Sequence, residues 1–153
     1  MDTEFQTVDP QHIALHLPAQ LRYLAVIRDA ALEVCHRLAM SEFDGYKIEM
    51  AVDEACTHVI EHSYHGEPPP DQALDHPGLT VEFFEHPDRL VIDVTDYGDG
   101  FAADGMDGER PDPADGGMYE PSLGIYIIRQ FVDEVDYRPD PGQGNRLRLT
   151  KAR

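Results

Sequence analysis

The sequence predicts a two-layer α/β sandwich, with helices on one face of a mixed β-sheet, forming a single domain over residues 1–153. Three observations lead there. Apolar residues recur with the helical period in some segments and alternate in others. The elements follow the order β, α, α, β, β, α, β, β, with no internal repeat. One long stretch rich in Gly, Asp and Pro, from 98 to 121, interrupts that order.

Residues 11–17 alternate through Ile13, Leu15 and Leu17 and read as an opening strand. Pro18 starts a helix whose positions Leu21, Leu24, Ala25, Arg28, Ala31, Leu32, Cys35, Leu38 and Ala39 follow the 3.6 period, with Arg28 the exception. A break over 41–45 leads into a second helix over 46–65. Gly66 ends it, because the prolines that follow Glu67 cannot continue a helix. Segments 79–85 and 89–95 read as a hairpin joined at His86, Pro87 and Asp88. The stretch over 101–121 has few apolar anchors and is expected to be a flexible lid. Ser122 is expected to cap a third helix with Leu123, Ile127, Phe131 and Val132 facing the core. Segments 136–138 and 146–150 close the chain as a second hairpin.

Composition narrows the function. With 30 acids against 12 bases in 153 residues, the formal charge is -18. Such a chain repels polyanions, which excludes a nucleic-acid surface as its main partner, and it attracts basic proteins. Any nucleotide site must then rest on Mg²⁺, backbone N–H groups and local geometry. Cys35 and Cys56 fall on apolar helical positions and read as buried thiols of a reducing compartment. No apolar run reaches membrane-spanning length, and the acidic start lacks the features of a signal peptide. The expectation is a cytoplasmic protein with no membrane partner.

The chemistry concentrates in two places. Glu54 and His58 lie one helical turn apart on the same face, an acid that can act as a base beside a possible metal ligand. Asp96-Tyr-Gly-Asp-Gly100 is a strand ending in an acid and two glycines, where a ligand can approach the backbone. His58-Val-Ile-Glu61-His62 also spells H-x-x-E-H, a zinc-hydrolase motif with no clear third ligand downstream.

Four segments together resemble the anti-sigma-factor serine kinases of bacteria, members of the GHKL group with the Bergerat ATP-binding fold. Val52-Asp-Glu-Ala-Cys-Thr-His-Val-Ile-Glu-His-Ser-Tyr64 resembles the N box, and Asp96-Tyr-Gly-Asp-Gly-Phe101 the first glycine box. Leu123-Gly-Ile-Tyr-Ile-Ile-Arg-Gln-Phe-Val-Asp-Glu-Val135 is similar to the second glycine box with its helix. Gly144-Asn-Arg-Leu-Arg-Leu-Thr-Lys151 is similar to the last strand.

The resemblance implies ATP and Mg²⁺ as cofactors, with Asp96 accepting from the adenine amino group. Gly98 and Gly100 would let the backbone pass beside base and sugar, and Gly124 would set phosphate against backbone N–H groups. Asn145 would lie near the base, and Glu54 would be the catalytic base toward a serine hydroxyl. His58 stands where the family has its Mg²⁺-binding asparagine, and Ser122 where it often has a glycine. The implied partners are a STAS-domain anti-anti-sigma factor, a sigma factor or other regulator, and a second copy in a homodimer. Two other readings remain: a non-catalytic sequestering module, suggested by His58, and the zinc hydrolase.

Overall fold

The computed structural model describes residues 11–102 and 120–153, with the side chains of 120–122 outside the described set. Its strands are β1 (Gln11–Leu17), β2 (Leu79–Glu85), β3 (Arg89–Asp96), β4 (Glu134–Arg138) and β5 (Asn145–Ala152). Its helices are α1 (Leu24–Arg37), α2 (Glu42–His58) and α3 (Glu120–Phe131). The sheet order is β1-β2-β3-β5-β4. The two-layer α/β class holds, but the sheet is not mixed: every ladder between described strands is antiparallel. The β2–β3 and β4–β5 hairpins lie side by side, joined by the antiparallel β3–β5 pair.

Strand alternation sorts the sheet into two faces. Leu79, Val81 and Phe83 of β2, Leu90, Ile92 and Val94 of β3, and Leu147 and Leu149 of β5 are buried in the core beneath the helices. Fully burying each such side chain contributes roughly 1.5–3 kcal/mol. The other face is polar where β3 meets β5: Arg148 forks onto Asp93 at 2.7 and 2.8 Å, directly across the ladder. The same alternation puts Asp96 on the core face, opposite Asn145.

The helices form the second layer, with α2 packed between α1 and α3. Leu24, Ile27, Ala31 and Cys35 give α1 its buried stripe. Leu21 and Leu32, which the period assigned to the core, are 43% and 38% exposed. Leu21 lies in a separate 3₁₀ turn ahead of α1, Leu21–Tyr23. Arg28, the odd member of that pattern, crosses to Asp53 of α2 at 2.9 Å.

Three boundaries differ from expectation, each for a local reason. The second helix begins at Glu42 because Ser41 caps it, accepting the Asp44 N–H at 3.0 Å, with Glu42 and Asp44 favourably placed in the first turn. The third begins at Glu120, so Ser122 lies inside its first turn and is not its cap. Ile125 and Ile128 form its buried face and Val132 is buried just past its end, while Leu123 and Ile127 are half-buried. The α-helical ladder of α2 stops at His58, and a π turn over Val59–Ser63 follows. The lid expected at 101–121 falls outside the described residues from 103 to 119. Among the described residues, no helix is long and apolar enough to cross a membrane.

Both cysteines are buried and free. Burial, with a smaller push from Asp44, raises the Cys35 thiol to about 11; burial, with Asp53, raises Cys56 to about 12. Since the thiolate is the reactive form, neither should react with iodoacetamide at pH 8 in the native protein, and both should react in denaturant. Rapid alkylation of the native protein, read by mass spectrometry, would contradict this packing.

Candidate functional site

A buried acid, Asp96, ends β3. Asp96 is 0% exposed, and its Oδ1 accepts three hydrogen bonds. These come from the Ser63 hydroxyl at 2.5 Å, the Gly98 N–H at 2.8 Å and Asn145 Nδ2 at 3.0 Å. Its Oδ2 is buried and has no partner among the described residues. A buried acceptor left bare costs about 1–3 kcal/mol, so this atom marks a place where a donor belongs.

The glycine turn after Asp96 is tight for identifiable reasons. A Cβ on Gly98 would sit 2.4 Å from the Ser63 carbonyl oxygen, so the close approach here is to the protein's own backbone. Gly100 has φ +75, a conformation that favours glycine. Its N–H reaches the Ser63 hydroxyl at 2.9 Å. Asn145 is fully used within the protein: Nδ2 also donates to the Gly98 carbonyl at 3.0 Å, and Oδ1 accepts the Asp140 N–H at 2.7 Å. It braces the acid and the turn.

Above the turn, Phe101 stacks on Tyr137 with ring centroids 3.9 Å apart and meets His58 edge-on at 4.3 Å. The Phe101 N–H also donates to the Tyr137 hydroxyl at 3.2 Å. Ser63, Phe101 and Tyr137 were not singled out by the sequence reading. Tyr137 had a signal, since β4 buries alternate residues, Val135 and Tyr137. Ser63 had none, because the π turn that aims it is not written in any local residue pattern.

Glu54 and His58 line a groove of about 240 Å³ between α2 and α3, with Thr57, Glu61, His62, Leu123, Gly124 and Ile127. The expected pairing of Glu54 with His58 on one face is therefore present. Gly124 is buried against them: a Cβ there would lie 2.6 Å from His58 Nδ1 and 3.2 Å from Glu54 Oε1. Because α3 begins at Glu120, Gly124 sits in its second turn, where a backbone N–H pairs with the carbonyl four residues back. Its described part is to let the two helices close.

The zinc reading gains no support. His58 and His62 lie with ring centroids 4.7 Å apart, but no group of three or more His, Cys, Asp or Glu among the described residues is placed to hold a metal.

His58 is 2% exposed and its Nε2 has no hydrogen-bond partner among the described residues. Burial, helped by neighbouring His62, lowers its pKa to about 3. The unfolded chain takes up this proton near the ordinary 6.5 and the folded chain does not. Stability from this group is thus complete above pH 6.5 and is lost as pH falls toward 3. We expect the denaturant stability of the native sequence to fall more steeply between pH 7 and 5 than that of His58→Asn, by up to about 1.4 kcal/mol per pH unit. Parallel curves for the two proteins would refute the assignment.

Residues 17–151 match the family described as the histidine kinase-like ATPase domain. The serine-protein kinase RsbW of Halalkalibacterium halodurans is 31% identical over 139 residues, covering 87% of this chain and 79% of that protein. RsbW of Bacillus velezensis is 27% identical over 135 residues, covering 86% and 80%. Among solved structures, the RsbU and RsbW domains of a Mycobacterium tuberculosis protein superpose with a TM-score of 0.64 at 17% identity, over 94% of this chain and 33% of that one. The SiaB–SiaC complex of Pseudomonas aeruginosa gives 0.58 at 14% identity, over 98% and 94%. At those identities the structures speak for the fold, and this chain spans a third of the Mycobacterium chain. The sheet order, the buried acid with its glycine turn and these matches agree: the chain belongs to the histidine kinase-like ATPase domain family, within the group of RsbW-type serine-protein kinases.

Proposed function

We propose that this chain is an ATP-dependent protein serine kinase of a partner switch. It phosphorylates a serine on a STAS-domain anti-anti-sigma protein and holds a sigma factor or another regulator until the unphosphorylated STAS partner displaces it. The observation that carries the nucleotide part is the buried Oδ2 of Asp96, which has no partner among the described residues. An acceptor with no donor fits the exocyclic amino group of adenine. ATP would supply the phosphoryl group.

In this reading Asp96 holds the base, while Gly98, Gly100 and Asn145 hold Asp96 and its turn. The groove beside Glu54, at about 240 Å³, is smaller than the roughly 300–1,000 Å³ of typical ligand sites. Nucleotide would therefore have to widen it and move Phe101. The first turn of α3, which contains Ser122, is the natural place for phosphate; a helical φ is negative, so serine suits that position. Glu54, on the groove wall, would orient the partner's serine hydroxyl and take its proton as the oxygen attacks.

Mg²⁺ is the expected metal, but His58 suits it poorly, since Mg²⁺ prefers oxygen in octahedral geometry. The product phosphoserine adds about -1.5 to -2 of charge. Beside a protein of net charge -18, it would be expelled. Exposed Ile13 on β1 and Leu21, Val26 and Leu32 along the first helical segment support the homodimer, and the setting would be the cytoplasm.

The neutral, buried His58 favours a second reading, in which nucleotide is bound without transfer. Two variants separate the readings. Glu54→Ala should lower phosphoryl transfer to a STAS protein by about 10²-fold or more while calorimetry shows ADP binding unchanged. Full transfer by that variant would remove Glu54 from the mechanism. His58→Asn should restore an oxygen ligand and strengthen Mg²⁺-dependent ATP binding. If the natural protein binds ATP yet transfers nothing, and His58→Asn transfers well, the sequestering reading is correct.

A further inference from the structure

Ser63 touches the turn that follows β3 at Gly98, Asp99 and Gly100. Its hydroxyl donates to Asp96 Oδ1 at 2.5 Å and accepts the Gly100 N–H at 2.9 Å. Its carbonyl accepts the Asp99 N–H at 3.0 Å. A Cβ on Gly98 would lie 2.7 Å from the same hydroxyl, so the turn is seated directly on this residue, which is 1% exposed. The π turn puts it there. Tyr64 N–H bonds back five residues to the Val59 carbonyl at 3.1 Å, and such turns commonly mark functional sites.

A serine hydroxyl has one proton to give. With the Gly100 N–H pointing at its oxygen, that proton is committed to Asp96. Gly98 N–H and Asn145 Nδ2 converge on the same carboxylate oxygen. Three donors on Oδ1 stop the carboxylate from turning and leave Oδ2 as the atom it presents.

We infer that Ser63 is a positioning residue that sets which purine the site accepts; the inference rests on the nucleotide reading above. A fixed, bare acceptor rewards an amino group at purine C6 and penalises an oxo group there, which would bring two acceptors face to face. Without the hydroxyl, a water can enter its space. Water turns either a donor or an acceptor toward the base, so the penalty on the oxo group is relieved.

The test is calorimetric titration of the full chain with ADP and with inosine diphosphate, which carries an oxo group at C6 in place of the amino group, and with it a proton at N1. The natural protein should prefer ADP by about 10²-fold or more, as sites built around a specific hydrogen bond do. Ser63→Ala should lose about tenfold in ADP affinity and little for inosine diphosphate, shrinking the ratio about tenfold. Ser63→Cys, close in size with a weak donor, should shift the ratio in the same direction and serves if the alanine variant does not fold. Equal losses for both ligands, or an unchanged ratio, would overturn the inference and leave nucleotide binding standing. Failure of the natural protein to bind ADP would overturn the nucleotide reading itself, and the inference with it.

Discussion

The buried carboxylate of Asp96 is the constraint from which the rest of the site follows. A carboxylate with no exposure needs donors, because burying an uncompensated charge costs far more than any single contact returns. Here the donors come from three separate parts of the chain: the π turn after α2, the glycine turn after β3 and the first residue of β5. Satisfying one acid therefore fixes how the helix layer meets the sheet. It also explains the glycine at 98, which must pass the Ser63 carbonyl more closely than any side chain allows.

A second constraint acts at the other end of the site, where α3 lies against α2. Gly124 lets the helices approach until no room remains for a Cβ beside His58. That contact, with Phe101 across the ring, keeps His58 dry and neutral. The two ends of the site thus differ in kind. The Asp96 end is a braced polar network with one acceptor unpartnered among the described residues, while the Glu54 end is a narrow groove carrying acids in an already acidic protein.

Much of the fold was legible because strand and helix periods are local. The spans of β1 and β2 were read as they stand, and the acid and glycines after β3 marked the end of that strand. The start of α2 was misplaced because the break over 41–45 was read as loop although Ser41 is a cap. Glu54 and His58 were placed on one face correctly, since one turn of α-helix separates them. The four boxes in order pointed to the family because each is a contiguous run of residues.

What the sequence determined by itself is the layer architecture, the family and the identity of the acid, all of which depend on residues close together in the chain. The tertiary structure decided what surrounds that acid. Ser63 lies 33 residues from Asp96 and Asn145 lies 49 from it, and no local period relates them. The π turn adds a residue to the helical register, and the antiparallel pairing of β3 with β5 depends on how two hairpins dock. The role of Asn145 as a brace, the closeness of Gly124 to His58 and the Asp96 oxygen left without a partner among the described residues are consequences of that packing.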